Sequence, residues 1–232
     1  HSHHNPLPAS ILEYTLMLAL HDRPRQRVPV QKRRPRGSPS GRLRLVAGNW
    51  RSRLVPVADV DGLRPTSERI RETLFNWLAP VIDGALCLAR FAGCGALGFE
   101  ALSRGAASAV FVERAHAATR LLRQNMESLE CASGQVVEAD AVDWLQKPGD
   151  RQPDNRFDIV FLDPPFAAGG YEELCRLLSE GGWLADRALV YIEQDLDQPA
   201  PMLPAGWQTK KEKTAGHVRY SLVEATNEGS SQ

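Results

Sequence analysis

The stretch 91–98 reads Phe91-Ala92-Gly93-Cys94-Gly95-Ala96-Leu97-Gly98 and joins a predicted strand, Ala85–Leu88, to a predicted helix, Ala96–Arg104. Gly93 and Gly95 allow a positive φ and let a ligand approach the backbone closely. A glycine-rich loop between a strand and a helix is typical of nucleotide binding at the edge of an open α/β sheet. The spacing alone is a weak signal, because a dinucleotide-binding fold would also account for it.

Strand and helix patterns alternate through the rest of the chain and indicate the fold class. Strands are predicted at Ala85–Leu88, Ala109–Glu113, Gln135–Glu138, Phe157–Leu162 and Ala188–Glu193. Helices are predicted at Ala96–Arg104, Ala115–Leu129, Ala141–Leu145 and Tyr171–Ser179. This order favours an α/β fold with a parallel sheet covered by helices on both faces. At the end, Trp207–Lys213 and His217–Glu224 predict a closing antiparallel hairpin.

Two acidic residues follow neighbouring strands, where a nucleoside would lie. Glu113 ends the second strand, where a carboxylate accepts both hydroxyls of a ribose. Asp140 follows the third strand, where a carboxylate accepts a hydrogen bond from an adenine amine. Either residue alone is more often a helix cap or a loop acid. In register with the glycine loop, they predict a nucleoside-containing ligand at the carboxyl edge of the sheet.

The motif Asp163-Pro164-Pro165-Phe166 follows the fourth strand and predicts a site for a planar amine. Each proline fixes φ at about −65° and removes a backbone donor. The carbonyls of Asp163 and Pro164 are then rigid acceptors for the N–H groups of the amine, and the Phe166 ring stacks on its planar face. In isolation, an Asp-Pro turn that ends a strand is the simpler interpretation. The glycine loop and the two acids favour the amine site.

The region before the alternating part contains a hairpin and a helix. Leu43–Ala47 and Arg53–Val57 flank Gly48-Asn49-Trp50-Arg51-Ser52, which predicts a β-hairpin with a basic, aromatic tip. A helix is predicted at Glu68–Leu78, capped by Thr66 or Ser67.

Charge is distributed unevenly, although the formal net charge is zero. Residues 23–53 contain eleven Lys or Arg and no Asp or Glu, whereas residues 54–232 contain 17 basic and 26 acidic residues. A basic arm on an acidic body indicates a polyanionic partner, and a solvated tail is the alternative. We predict a flexible extension at 1–41, a hairpin and helix at 42–80, a catalytic domain at 81–226 and a tail at 227–232.

Composition argues against several classes of protein. The four cysteines, Cys87, Cys94, Cys131 and Cys175, are widely spaced and form no metal-ligand pattern. Reduced thiols in a cytosolic protein are the simplest interpretation. Residues 11–20 are apolar but contain Glu13 and are too few to cross a bilayer. We therefore expect a cytoplasmic protein without a metal site, signal peptide or membrane segment.

Together, the glycine loop, Glu113, Asp140, the DPPF motif and the terminal hairpin resemble class I S-adenosylmethionine-dependent methyltransferases. The match narrows at Gly48-Asn49-Trp50-Arg51, Leu63-Arg64-Pro65-Thr66, the stretch from Arg69 to Leu78 and the stretch from Gly98 to Ala106. These segments are similar to the bacterial 16S ribosomal RNA (guanine-N2)-methyltransferases of the RsmD type. The resemblance extends from about Arg42 to Glu224.

The resemblance implies a Rossmann-like, seven-stranded sheet whose last hairpin is inserted antiparallel, with an N-terminal β-hairpin extension. It implies S-adenosyl-L-methionine as methyl donor. The implied target is a guanine of small-subunit ribosomal RNA, within assembled or assembling 30S particles, and a monomer is the default. The expected catalytic residues are Asp163, Pro164, Pro165 and Phe166. The expected cofactor-binding residues are Thr66, Phe91, Ala92, Gly93, Cys94, Gly95, Glu113, Arg114, Asp140, Ala141 and Asp163. The expected RNA-binding residues are Arg42, Arg44, Trp50, Arg51, Arg53, Arg64 and Arg69.

One departure concerns the end of the first strand. The family reads Leu-Asp-x-Phe-Ala-Gly-Ser-Gly, whereas this chain has Ala89 in place of the acid, followed by Arg90. The acid lies near the cationic methionine end of the cofactor, so its loss and the new positive charge are expected to weaken binding. A lost charged hydrogen bond corresponds to roughly ten- to a hundredfold in affinity.

We hypothesise methyl transfer to the exocyclic N2 of guanine, with Asp163 and Pro164 as acceptors for the amine and Phe166 stacked on a base that has left its stack. Two other classes of function stay open. One is methylation of another amine, adenine N6 in DNA or RNA or a protein glutamine. The other is a non-catalytic RNA-binding assembly factor on a decayed methyltransferase fold, which Ala89 and Arg90 would favour.

Overall fold

The strands of this chain form a seven-stranded sheet and a separate two-stranded hairpin. The structure is a computed structural model that describes residues 39–58, 66–90, 92–147, 156–163 and 170–226. The strands are β1 Pro39–Arg44, β2 Leu54–Ala58, β3 Leu86–Arg90, β4 Ser108–Glu113, β5 Gly134–Glu138, β6 Phe157–Leu162, β7 Leu184–Asp195, β8 Gln208–Ala215 and β9 Val218–Ala225. The helices are α1 Glu68–Leu78, α2 Ala96–Ser103, α3 His116–Ser128, α4 Ala141–Gln146 and α5 Tyr171–Glu180.

The large sheet has the strand order β5-β4-β3-β6-β7-β9-β8. The five strands β3 to β7 are parallel, and β9 pairs antiparallel with both β7 and β8. The terminal hairpin is therefore inserted so that its second strand lies next to β7. This confirms the predicted parallel sheet with an antiparallel end.

Side chains of successive strand residues point to opposite faces of a sheet, and each face has its own apolar core here. On one face, Phe111 and Phe161 pack with residues of α1, α2, α3 and the β1–β2 hairpin. On the other face, Val112 and Leu162 pack with residues of α4 and α5. We call these the hairpin face and the α5 face.

The predicted N-terminal hairpin forms, but its first strand β1 spans Pro39–Arg44 rather than Leu43–Ala47. The backbone N–H groups of Val46 and Ala47 donate to the side-chain carboxylate of Glu100, at 2.9 and 3.0 Å, instead of to the opposite strand. A tertiary contact with α2 thus ends the strand ladder where the apolar sequence pattern continues.

Strand β7 is longer than the predicted Ala188–Glu193, since it begins at Leu184. The polar, exposed pair Asp186 and Arg187 interrupts the apolar run in the sequence. Arg187 has φ of 56°, and the register of β7 with β6 shifts between the pairs Phe157–Leu184 and Ile159–Leu189. An irregularity of this kind is not visible as a period-two pattern. No helix within the described residues is both long and apolar enough to cross a membrane.

Candidate active site at the carboxyl edge of the sheet

The glycine loop turns from β3 into α2 through a left-handed residue. Gly95 is the N-cap of α2 with φ of 78°, and a Cβ built there would lie 2.5 Å from the Phe99 ring and 2.6 Å from Leu122. The loop is held by a hydrogen bond from the Gly95 N–H to the Ala92 carbonyl, at 2.6 Å. Only glycine satisfies both the backbone conformation and the packing at this position. Phe91, predicted in the same loop, lies outside the described residues.

Glu113 and Asp140 lie at the ends of the adjacent parallel strands β4 and β5. The Glu113 carboxylate accepts from the backbone N–H of Gly93 at 3.0 Å and from that of Ala115 at 2.8 Å, so it spans the glycine loop and the start of α3. Asp140 caps α4, because its Oδ1 accepts from the N–H groups of Val142 and Asp143.

These residues form a suitable set of partners for the adenosine part of S-adenosylmethionine. The loop backbone allows close approach, and the two fixed carboxylates accept hydrogen bonds from hydroxyl and amine groups. Of the other predicted cofactor residues, Ala141 is the buried first residue of α4 and Arg114 is exposed. The Cys94 side chain is buried, and burial raises the pKa of its thiol to about 11, so the thiol stays protonated at neutral pH.

Asp163 directly follows β6 and lies beside a second acid, Glu193 of β7. The Thr66 hydroxyl donates to Oδ2 of Asp163 at 3.2 Å and also lies within hydrogen-bonding reach of the Glu193 carboxylate. Oδ1 of Asp163 has no hydrogen-bond partner among the described residues. Glu193 is further held by the Tyr191 hydroxyl, which donates to its Oε2 at 2.6 Å, and its backbone carbonyl accepts from the Tyr171 hydroxyl.

Burial raises the pKa of both carboxyl groups, and the charge of Glu193 adds to the shift at Asp163. Desolvation is the main cause that raises the pKa of Asp163, the charge of Glu193 adds to it, and the Thr66 hydroxyl opposes it. Desolvation also raises the pKa of Glu193, against hydrogen bonds from Tyr191 and Thr66. Two close carboxyl groups do not ionise independently, so the pair titrates as a unit.

The other three residues of the DPPF motif, Pro164, Pro165 and Phe166, lie outside the described residues. Asp163 is therefore the predicted catalytic residue for which the structure gives a geometry. Sequence reasoning missed Glu193. An acid directly after the buried apolar run Ala188–Ile192 was the available indication, because a charge at that position is costly unless it serves a site.

The predicted RNA-binding residues lie mostly on the surface of the hairpin and α1. Arg42, Arg44, Arg51, Arg53 and Arg69 are exposed, Trp50 is half-buried, and Arg64 lies outside the described residues. Arg53 also makes a contact within the protein, because its Nη2 donates a hydrogen bond to the Ser128 carbonyl at the end of α3, at 2.7 Å.

The family described as "Conserved hypothetical protein 95" matches residues 43–224 of this chain. The ribosomal RNA small subunit methyltransferase D of Escherichia coli (strain K12) is 47% identical over 199 residues, which cover 86% of this chain and 98% of that protein. The same protein of Haemophilus influenzae is 45% identical over 186 residues, covering 79% of this chain and 94% of the relative. This chain belongs to the ribosomal RNA small subunit methyltransferase D family.

The solved structures of relatives agree with this membership. A putative methyltransferase of Escherichia coli, yhhF, superposes with a TM-score of 0.72 at 46% identity and covers 81% of this chain and 100% of that chain. The putative methylase HI0767 of Haemophilus influenzae gives a TM-score of 0.70 at 40% identity, with the same coverage of this chain. The predicted family, the methyltransferase fold and the class of RNA methyltransferase enzymes are thereby confirmed.

Ala89 and Arg90, where this chain departs from the family pattern, lie on opposite faces of β3. Ala89 packs in the core of the hairpin face together with Phe161. Asp163 lies two residues after Phe161 and therefore belongs to the same face. Arg90 alternates with Ala89 and so points to the α5 face, where Leu88 is packed. The Arg90 side chain is buried, and its Nε, Nη1 and Nη2 have no hydrogen-bond partner within the part of the chain that the structure describes. Burial lowers the pKa of Arg90 to about 9, against the charge of Asp140.

A buried ionic cluster next to the site was also not predicted. Glu100 of α2 is fully buried and accepts from Arg71 Nη1 at 3.1 Å and from Arg104 Nε at 2.9 Å. Arg71 is 1% exposed, and its Nε donates to the Thr66 carbonyl at 3.2 Å. A single acid within the otherwise apolar stretch Ala96–Leu102 was the available indication, because a buried carboxylate requires partners. Within the part of the chain that the structure describes, no group of three His, Cys, Asp or Glu residues is arranged to hold a metal ion.

Proposed function

We propose that this protein transfers a methyl group from S-adenosyl-L-methionine to the exocyclic N2 of a guanine in 16S ribosomal RNA. Family membership supports the enzyme class and the ribosomal substrate. The observation that carries the choice of an amine target is the Asp163 carboxylate at the end of β6, whose Oδ2 accepts from Thr66 and whose Oδ1 has no partner among the described residues. The substrate is an assembled or assembling small subunit in the cytoplasm, and the protein acts as a monomer.

The cofactor supplies an electrophilic methyl group on a positively charged sulfur. The glycine loop, Glu113 and Asp140 would hold its adenosine part, and Asp163 would face its methionine part. Negative charge on the hairpin face suits this cationic end, because opposite charges attract strongly where water is excluded.

The guanine N2 is a poor nucleophile because its lone pair is delocalised into the ring. Asp163 accepts an N–H hydrogen bond from this amine and orients it so that the lone pair is aimed at the methyl carbon. Orientation of this kind contributes several kcal/mol, about 7–11 kcal/mol at most, because a bimolecular step becomes effectively unimolecular. After transfer the nitrogen is cationic, and Asp163 accepts the proton that it loses.

In this proposal Pro164 supplies a carbonyl acceptor for the amine and Phe166 a stacking surface for the base. A base stacked on an aromatic side chain gains about 1–3 kcal/mol, which offsets part of the cost of leaving the RNA stack. Trp50, Arg51 and Arg53 on the hairpin, together with Arg42, Arg44, Arg64 and Arg69, dock the RNA through its phosphates.

The test is transfer of labelled methyl to small subunits that lack the modification, followed by nucleoside analysis. We expect N2-methylguanosine, and we expect Asp163→Ala to lower the transfer rate roughly 100-fold or more, as for loss of one preorganised electrostatic contact. Calorimetry should show a smaller loss in cofactor affinity than in transfer rate. N6-methyladenosine would replace the guanine assignment, and an undiminished rate in Asp163→Ala would remove Asp163 from the reaction. Neither methyl transfer nor cofactor binding by the wild type would indicate a non-catalytic assembly factor.

A further inference from the structure

Glu100 joins three parts of the molecule that are distant in sequence. Its Oε2 accepts from the Val46 N–H and from Arg71 Nη1, and its Oε1 accepts from the Ala47 N–H and from Arg104 Nε. A carboxylate has about four lone-pair positions, so all of its acceptor capacity is used. Because its side chain is 0% exposed, each of these contacts is made without competition from water.

Arg71 extends this connection to Asp163. One edge of its planar guanidinium binds Glu100, while Nε donates to the Thr66 carbonyl at 3.2 Å. The Thr66 hydroxyl in turn donates to Oδ2 of Asp163 at 3.2 Å. The planar fork of an arginine fixes two partners at once, which a lysine cannot reproduce. A continuous chain of contacts therefore leads from Val46 and Ala47 of the hairpin to Asp163.

The tip of the hairpin is seated on the same helix, one turn after Glu100. The Asn49 N–H donates to the Ser103 carbonyl at 2.7 Å, and the Trp50 N–H donates to Ser103 Oγ at 2.9 Å. Gly48 has φ of 80°, and a Cβ there would lie 1.7 Å from the Ser103 carbonyl oxygen. Residues 46–50, which we call the seated tip, thus fit α2 only in close contact.

We infer that Glu100 and Arg71 are positioning residues that couple the seated tip to the orientation of the Asp163 carboxylate. This inference rests on the proposed function, because it takes the tip as an RNA-docking element and Asp163 as the acceptor for the amine. RNA bound at the tip stabilises the seated arrangement, which holds Glu100, Arg71 and Thr66 in place. Binding energy from a part of the substrate that does not react is then used in the chemical step.

The coupling is tested by single-turnover methyl transfer at saturating small subunits. Arg71→Lys keeps a positive charge next to Glu100 but loses the simultaneous contact with the Thr66 carbonyl. We expect its transfer rate constant to fall about tenfold, as for one charge-assisted hydrogen bond, while the KM for subunits and the Kd for the cofactor change by less than about twofold. Arg176→Lys is the matched control, since Arg176 pairs with Glu173 and Glu180 on the surface of α5. Its rate should equal that of the wild type.

A second variant approaches the chain of contacts from the other end. Ser103→Ala removes the acceptor for the Trp50 N–H without touching Thr66 or Asp163, and it should also lower the rate constant at saturation severalfold. If the two sites act through one chain, the double variant is slower than Arg71→Lys by less than about twofold, because residues of one network are not additive. Circular dichroism and urea unfolding establish that each variant is folded. If Arg71→Lys does not fold, Ser103→Ala decides the question by the same measurement.

Failure of this inference is distinguishable from failure of the proposed function. A wild-type protein that transfers no methyl group to guanine N2 contradicts the proposed function. An active wild type contradicts the coupling if both variants retain its rate constant at saturation. Rate losses that multiply in the double variant, or a loss confined to KM, would show that the cluster serves only folding or docking.

Discussion

Arg90 gives a quantitative prediction about stability, because it is a buried charge whose nitrogens have no hydrogen-bond partner among the described residues. The side chain is 1% exposed at the end of β3, and none of its three nitrogens bonds to a described residue. Methionine is a suitable replacement, since it is also unbranched and adapts to irregular apolar surroundings. We expect Arg90→Met to be more stable than the wild type.

The magnitude follows from the pKa of Arg90, which burial lowers from the ordinary arginine value to about 9. A difference of about 3.5 units at 1.36 kcal/mol per unit corresponds to roughly 5 kcal/mol against the charged form in the folded state. Between these two values the folded protein has released a proton that the unfolded chain retains, so the free energy of unfolding rises with pH through that window. Below about pH 9 both states are charged, and the full penalty is present at pH 7.

The expected gain at pH 7 is smaller than this penalty, because the arginine stem already contributes apolar contacts. Replacement of buried charged groups by apolar residues stabilises proteins by about 1–4 kcal/mol, and we expect a gain in that range. Each kcal/mol corresponds to about 2–4 °C in Tm for a protein of this size.

Urea unfolding at pH 7 measures the difference, with Arg90→Lys as the control. Lysine keeps a charge at the same buried place, so it should give no comparable gain. The midpoint should rise for Arg90→Met at an unchanged m value. A less stable Arg90→Met would refute the reasoning, because it would show that the guanidinium has a favourable partner in the folded protein. Cofactor titration of the same variants should show no loss of affinity, since Arg90 and Asp163 lie on opposite faces of the sheet.

Two further predictions concern the acids of the site. Ala89→Asp restores the carboxylate that the family pattern has at this position. We expect this variant to bind the cofactor roughly tenfold or more tightly in calorimetry. An unchanged Kd would show that this chain binds its cofactor without that contact. Glu193→Gln removes the like charge that raises the pKa of Asp163, so the transfer rate, which rises with pH as Asp163 ionises, should reach half of its maximum at a lower pH than in the wild type. A pH–rate profile that is identical in Glu193→Gln would contradict the pairing of the two carboxyl groups.

The sign of the corresponding effect on stability is opposite to that for Arg90. Asp163 and Glu193 have raised pKa values in the folded protein, so the folded state keeps protons that the unfolded chain has released. The free energy of unfolding therefore falls as the pH rises from the unfolded values of about 4 through the folded ones. Two carboxyl groups with raised pKa values therefore make the folded protein less stable at neutral pH than apolar residues at the same positions would.

The fold could be predicted from the sequence because periodicity and turn residues carry most of its information. The apolar run Phe157–Leu162 and the helix Glu68–Leu78 agree with the structure at both ends. The limits of β1 were not predictable in the same way, because contacts with Glu100, more than 50 residues away in sequence, decide where that strand ends. Local patterns contain no record of such a partner.

The candidate site could be predicted only where it lies in a motif. The glycine loop, Glu113 and Asp163 belong to short patterns with a known chemistry, whereas Glu193 and the Arg71–Glu100 pair come together only when the sheet is assembled. The face to which Arg90 points was available from the alternation of Leu88, Ala89 and Arg90 along one strand. Its lack of a partner was not, because that depends on every residue that surrounds it.

The alternation of side chains along the strands also shows how much negative charge the hairpin face keeps without an acid at position 89. Ala89, Glu113, Asp163 and Glu193 all belong to the hairpin face, so the face that lacks one carboxylate retains three others. A cation placed next to Asp163 and Glu193 favours their ionised forms and lowers both raised pKa values. By linkage, ionisation of the pair then strengthens binding of the cation. The acidic pair thus supplies, at the end of β6 and β7, negative charge of the kind that β3 has lost, and Arg90 does not cancel it because its charge lies across the sheet.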